Sequence, residues 1–240
     1  MNFKRDVFTK CVLLKRNILF WIVYVFDFFV LALCDKKNLF VTESYGRCIY
    51  RCISQQVYIV FTCIFIIHLI FNERELIAIR DYKMIYSKSV QQEIRASACA
   101  VIIVQVLGFI CGQLFAMIIN SLLGGKVYIG LLLVNMAVVS AQIVIAVFLI
   151  MGLRMIFIKD IAVYGIYYVW ILISLLFQSV YVSMPITIKI AGEEAGGYYY
   201  SFGKELWIGR LLLLTVAFLI YKLGENRFCN LIRTGNAEAL

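Results

Sequence analysis

Asn72–Ser97 reads NERELIAIRDYKMIYSKSVQQEIRAS and separates two apolar runs of membrane-crossing length. It carries five Lys/Arg (Arg74, Arg80, Lys83, Lys88, Arg95) and four acids (Glu73, Glu75, Asp81, Glu93). It holds neither Gly nor Pro, so no residue in it breaks a helix. Leu76, Ile79, Tyr86 and Val90 fall on one helical stripe, with Lys83 on it too, while Arg74, Asp81 and Lys88 lie on another face. A connection between two spans needs neither this length nor this helix propensity. A helix offered to a partner outside the membrane needs both. The competing reading is a helix lying on the membrane surface without a partner.

Outside that stretch the chain is greasy. Of its 240 residues 63% are hydrophobic, and mean hydropathy is +0.92. Soluble domains hold roughly 45–50% apolar residues. The composition therefore defines an integral membrane protein. Apolar runs of about 20 residues make its spans helical rather than barrel strands. Six such runs occur: 17–34, 57–72, 97–122, 127–153, 161–185 and 206–222. The fold class expected is all-α, one transmembrane domain over residues 1–240. The start resembles a secretory signal, but no A-x-A site follows it, so the first run reads as an uncleaved span.

The formal charge is +9. In a soluble chain this would suggest nucleic acid; here basic loops against anionic headgroups account for it. With both termini placed inside, fifteen Lys/Arg fall on the inner side and seven on the outer. The inner set includes Arg154 and Lys159 of the fourth connection and Lys222 of the tail. That excess predicts a multi-pass protein with both termini cytoplasmic.

Two further segments have character of their own. In residues 1–16, Phe3, Val7, Phe8, Cys11 and Val12 share one helical face, with Lys4, Arg5 and Lys10 off it, as in a helix lying in the membrane interface. Residues 186–205, ITIKIAGEEAGGYYYSFGKE, join glycines to a tyrosine run and predict an outer re-entrant segment, a helix pair or a plain loop.

Catalytic chemistry is thinly represented. The nearest approach to a phosphate loop, Gly197-YYYSF-Gly203-Lys204-Glu205, has five residues between its glycines and Glu where Ser/Thr must hold magnesium. Glu193-Glu194 invites comparison with double-Glu intramembrane proteases. The fourth position after Glu194 is Tyr198, however, and His68 is the only histidine. His68 reads as a helix-packing residue, and no G-x-S-x-G elbow accompanies it. The eight cysteines form no CxxC, and a zinc site is not expected. Cys48 and Cys52 are close enough in a short polar loop for a local disulfide.

Charges inside the spans are costly, about 2.5–3.5 kcal/mol at mid-bilayer. Asp27 and Arg210 are the two such residues, at depths that permit a pair. Gln105, Gln113, Asn120, Asn135, Ser140 and Gln142 suit hydrogen bonds between helices. Gly108 and Gly112 form a GxxxG pattern suited to close packing.

Glu73-Arg74-Glu75-Leu76, Ile79-Arg80-Asp81-Tyr82-Lys83 and Ser87-Lys88 stand just before the third apolar run. With an amphipathic start, six runs and a distinct segment before the last, this order resembles the permease subunits of type-2 ABC exporters. In size it is similar to small permeases of Gram-positive bacteriocin-immunity and peptide-export operons. The likeness covers nearly the whole chain and is one of layout rather than of strict motif. It implies that residues 73–95 are a cytoplasmic coupling helix between spans two and three. Glu75, Leu76, Ile79, Arg80, Asp81, Tyr82, Lys83 and Tyr86 would then contact a separately encoded ATPase. It implies a bacterial plasma-membrane location, a second permease copy or paralogue, lipid contact and an amphipathic peptide as cargo. ATP and magnesium would bind the ATPase, so this chain would carry no cofactor and no catalytic residue. The alternative is a stand-alone immunity or scaffold protein that binds a toxin or partner without transport.

Overall fold

The computed structural model describes residues 3–22, 25, 63–72, 76–77, 90–122, 129–157, 159–177, 190–194, 197–200 and 204–234. Five helices dominate: α1 (Phe3–Arg16), α2 (Val90–Leu122), α3 (Ile129–Phe157), α4 (Asp160–Phe177) and α5 (Lys204–Thr234). Residues 18–22 and 63–70 are also helical. Asn17 links α1 to residues 18–22: its side-chain oxygen accepts the Leu19 N–H at 3.0 Å, an N-terminal cap.

The stretch Val90–Phe115 in α2 and the stretch Val139–Phe157 in α3 are long and apolar enough to cross a membrane. α2 begins seven residues before the apolar run expected to start at 97, so residues 90–95 of the polar stretch form its first turns. With no Gly or Pro at the junction, nothing stops the helix there. α5 likewise runs on past 222 to Thr234, which places Lys222 within a helix rather than in a tail.

One element departs from an all-helical fold. Within residues 186–205, strands β1 (Ile190–Glu194) and β2 (Gly197–Tyr200) pair antiparallel, with Glu194 opposite Gly197. Where the sequence left a re-entrant or interfacial helix pair and a plain loop open, the structure has a hairpin. A two-residue connection closes antiparallel strands readily. A β-prone tyrosine run supplies the second strand.

α3 and α5 form the central pair, the most extensively packed of the described helices. They approach closely at Gly152 and Gly224. A Cβ on Gly152 would stand 2.7 Å from the Tyr221 backbone nitrogen, and one on Gly224 2.5 Å from the Gly152 carbonyl oxygen. Only glycine lets two helix backbones meet so closely. Gly108 and Gly112 in α2 are buried as their spacing suggested. Around the central pair, α2 packs on α3, α1 lies on the start of α2, and α4 folds back on α3. The core joins Ile66, Ile67 and Phe71 to Leu14, Ile94, Val101, Ile143, Val147, Ile150 and Met151.

These contacts set the direction of each helix. The start of α2 meets α5 at Glu225, and the end of α3 meets α5 at Tyr221 and Gly224. α2, α3 and α4 therefore alternate in direction, and α5 runs antiparallel to α2. α1, the start of α2, the end of α3, the start of α4 and residues 221–225 share one end of the bundle. Arg210 lies fifteen residues back along α5, about 22 Å from Glu225 toward the other end.

Candidate functional site

Polar contacts concentrate at that shared end. The first group links α1 to α2. Lys10 pairs with Glu93 at 2.8 Å, and Gln92 donates to Asp6 at 2.6 Å. Lys10 and Asp6 of α1 are thus turned to α2, while Lys4, Arg5, Phe3, Phe8 and Leu13 are exposed.

The second group links α2 to α5. Glu225 is buried and accepts from Arg95 Nε at 2.7 Å and from Lys222 at 2.6 Å. Arg95, one of the charges of the polar stretch, belongs to α2 and pairs across to α5. Burial pushes the Glu225 carboxyl up; the charge-assisted bonds from Arg95 and Lys222 outweigh that and hold it below its ordinary value. Stability from Glu225 is therefore complete above the unfolded carboxylate value of about 4.3 and lost as pH falls below it. Replacing Glu225 by alanine is expected to cost about 1.5 kcal/mol at neutral pH, from hydrogen bonds to charged groups. Thermal unfolding in detergent from neutral to acid pH checks both: the wild-type loss should disappear in Glu225→Gln.

The third group lies where α3 turns into α4. Arg154, in the last turn of α3, is fully buried. Its expected place as a free charge in the fourth connection is corrected: α3 continues to Phe157 and draws the side chain into the interior. Arg154 forms an ion pair with Asp160 and donates to the Tyr164 hydroxyl. Its Nη2 also stands 3.2 Å from His68 Nδ1. Tyr164 and His68 are joined at 2.7 Å, and His68 Nδ1 is 3.5 Å from Asp160 Oδ2. The Arg154 guanidinium lies 5.2 Å from the centre of the Tyr164 ring, within cation–π range. His68 packs between helices as its position implied, but through this polar cluster rather than by apolar contact.

The cluster was not anticipated in the sequence. Its signal was present: Arg154 and Asp160 close two apolar runs with a five-residue gap, and a chain reversing there brings them together. Asp160 also sits in the first turn of α4, where a negative charge favours the helix dipole.

Of the residues expected to face a partner, Leu76 alone is among the described residues. Leu76 is buried in the core, with its N–H bonded to the Asn72 carbonyl at 3.0 Å. Glu75, Ile79, Arg80, Asp81, Tyr82, Lys83 and Tyr86 lie outside the described residues. So do Asp27, the expected partner of Arg210, and Cys48 and Cys52. Arg210 itself is buried. Gln105, Gln113 and Gln142 are buried too, as interhelical polar residues would be. Among the described residues no three His, Cys, Asp or Glu side chains group as a metal site requires.

Around an apolar core, a few charges lie inside and many large apolar side chains lie outside. Arg154, Arg210 and Glu225 are buried, whereas Leu107, Leu211, Leu219 and Leu223 are exposed, and Ile161 is 89% exposed. No protein-family model, curated protein or solved structure matches this chain.

Proposed function

We propose that this chain is the six-span transmembrane subunit of an ATP-driven ABC exporter, working with a separately encoded ATPase and a second permease copy or paralogue. The membrane part of the reading is supported by two helices long and apolar enough to cross a bilayer and by the large apolar side chains on the outside. Charges turned inward and leucines turned outward suit a lipid solvent. Both α1 and the 221–225 region lie at one end of the bundle, which agrees with an even number of spans and both termini cytoplasmic.

One observation carries the functional part. Residues 63–72 and 90–95, which border most of the polar stretch 73–95 in sequence, both stand at the end of the bundle where the three polar groups gather. A helix pushed there by a partner would act on α1 through Glu93 and on α5 through Arg95. That is a rigid-body linkage of the kind that switching proteins use. Cargo would move between two permeases, and the apolar faces suit an amphipathic peptide.

Arg80→Glu/Tyr82→Ala is expected to abolish copurification of an ATPase with the tagged chain, or to reduce the activity of the bound ATPase at least about tenfold, a coupling loss of about 1.4 kcal/mol. A chain that purifies alone, with the double variant behaving as wild type in cells, would favour the stand-alone immunity or scaffold protein.

A further inference from the structure

α1 turns one face to the bundle and a chemically different one away from it. Asp6, Lys10 and Leu14 follow one another at a spacing of four and form the bundle side. Asp6 accepts from Gln92, Lys10 pairs with Glu93, and Leu14 is buried in the core. At about 100° per residue the opposite side is centred on Phe8 and Val12. Lys4 and Lys15 flank it on one edge, Arg5 and Arg16 on the other. All four cations are exposed, and Phe8 is 69% exposed. The single acid of α1, Asp6, is turned away from them, and no described acid pairs with any of the four. The apolar face read from the spacing is therefore divided. Val7 and Cys11 are half-buried toward the bundle side, and the outward face is cationic with one aromatic ring at its centre.

The placement of α1 says what this face meets. Its two side-chain contacts with α2 lie about 6 Å apart along α1, from Asp6 to Lys10, but about 1.5 Å apart along α2, from Gln92 to Glu93. α1 thus crosses the start of α2 rather than following it. The crossing stands just before the apolar run that begins at residue 97, which is the level of lipid headgroups when α2 spans a bilayer. Directly past Asn17, Ile18, Trp21 and Ile22 are exposed. The Trp21 ring N–H donates to the Lys15 carbonyl at 2.7 Å, which fixes the indole beside the cations. Trp is the residue type that settles at a membrane–water boundary. An acidic protein or a nucleic acid would answer the four charges alone. An anionic bilayer answers the charges, the exposed Phe8 and the exposed apolar residues together.

We propose that the outward face of α1 recognises anionic phospholipid headgroups, with Lys4, Arg5, Lys15 and Arg16 on the phosphates and Phe8 set between neighbouring lipids. Contact at this face is then selective for lipid charge, which the purely apolar face expected from the spacing would not be. The proposal rests on the membrane part of the reading above and on none of its exporter part.

A photoreactive benzoylphenylalanine at position 8 of the full chain, reconstituted in vesicles of equal parts phosphatidylglycerol and phosphatidylcholine, tests this locally. Mass spectrometry of the adducts should show phosphatidylglycerol favoured at least about fivefold, the preference that one cation near a charged surface supports. The preference should shrink as added salt screens the charges. Lys4→Gln/Arg5→Gln/Lys15→Gln/Arg16→Gln in the same chain should bring the two adducts close to equality, while Lys4→Arg/Lys15→Arg should keep the preference. If the fourfold variant fails to fold, Lys4→Gln/Arg5→Gln and Lys15→Gln/Arg16→Gln separately should each lower it. Equal adducts in the reconstituted wild-type background, or a preference untouched by the neutralised cations, would overturn the proposal. Adducts in cell membranes that fall on protein or RNA instead of lipid would overturn it too. A chain that stays out of the bilayer would overturn the membrane reading and this proposal with it. None of these readouts involves an ATPase, so they fail or succeed independently of the exporter reading.

Discussion

Gly152→Leu is expected to destabilise the chain by about 3 kcal/mol, because overpacking costs typically 1–3 and the obstacle here is main chain. Even the Cβ of the new side chain would stand 2.7–2.8 Å from the backbone of Ile220 and Tyr221. A flexible neighbour could swing away; a helix backbone must translate. Moving α5 outward would also draw Glu225 from Arg95, since Glu225 follows Gly224 directly. The loss should therefore exceed that of a leucine placed at Gly165, which has open space where its Cβ would go. Thermal unfolding of both variants in one detergent checks this. Equal stability of Gly152→Leu and Gly165→Leu would show that the α3–α5 crossing is looser than its geometry.

Asp160→Ala is expected to cost about 3 kcal/mol, the lower end for breaking a buried ion pair, since Asp160 is partly exposed. Arg154 is fully buried, and its charge would be left without an acid beside the Tyr164 phenol and the His68 ring. Its Nε already makes no hydrogen bond, so the guanidinium has no second acceptor in reserve among the described residues. The penalty is that of an orphaned charge rather than the worth of a contact. Adding Arg154→Met should therefore restore most of the lost stability, because replacing both partners of a buried pair by apolar groups is often neutral. Chemical or thermal unfolding of the single and double variants measures the coupling. A double variant no better than Asp160→Ala would mean that Arg154 contributes through packing alone.

Helical class was legible from the apolar runs, because lipid-length segments must bond their backbones internally. The inward turn of Gln105, Gln113, Gln142 and Arg210 was legible too, since polar groups in such runs avoid a lipid face. Boundaries were less so. Residues 90–95 and 222–234 are polar, and hydropathy ends a span where the helix itself continues. The hairpin at 190–200 was missed because glycines beside tyrosines are compatible with a turn, a loop or a strand.

Arg154, Glu225 and His68 show where sequence reading stops. By itself the sequence determined that charges would be few within the apolar runs and concentrated between them, because the cost of burying a charge acts on each residue separately. It also determined that a long polar stretch without breakers would stand between the second and third runs. Only the tertiary structure decided that Arg154 turns inward to Asp160, that Arg95 meets Glu225 across 130 positions, and that Gly152 faces Gly224. The reason is physical. Solvation is a property of one side chain and its neighbours along the chain, whereas an ion pair or a backbone crossing depends on which turns of two distant helices are brought to the same level.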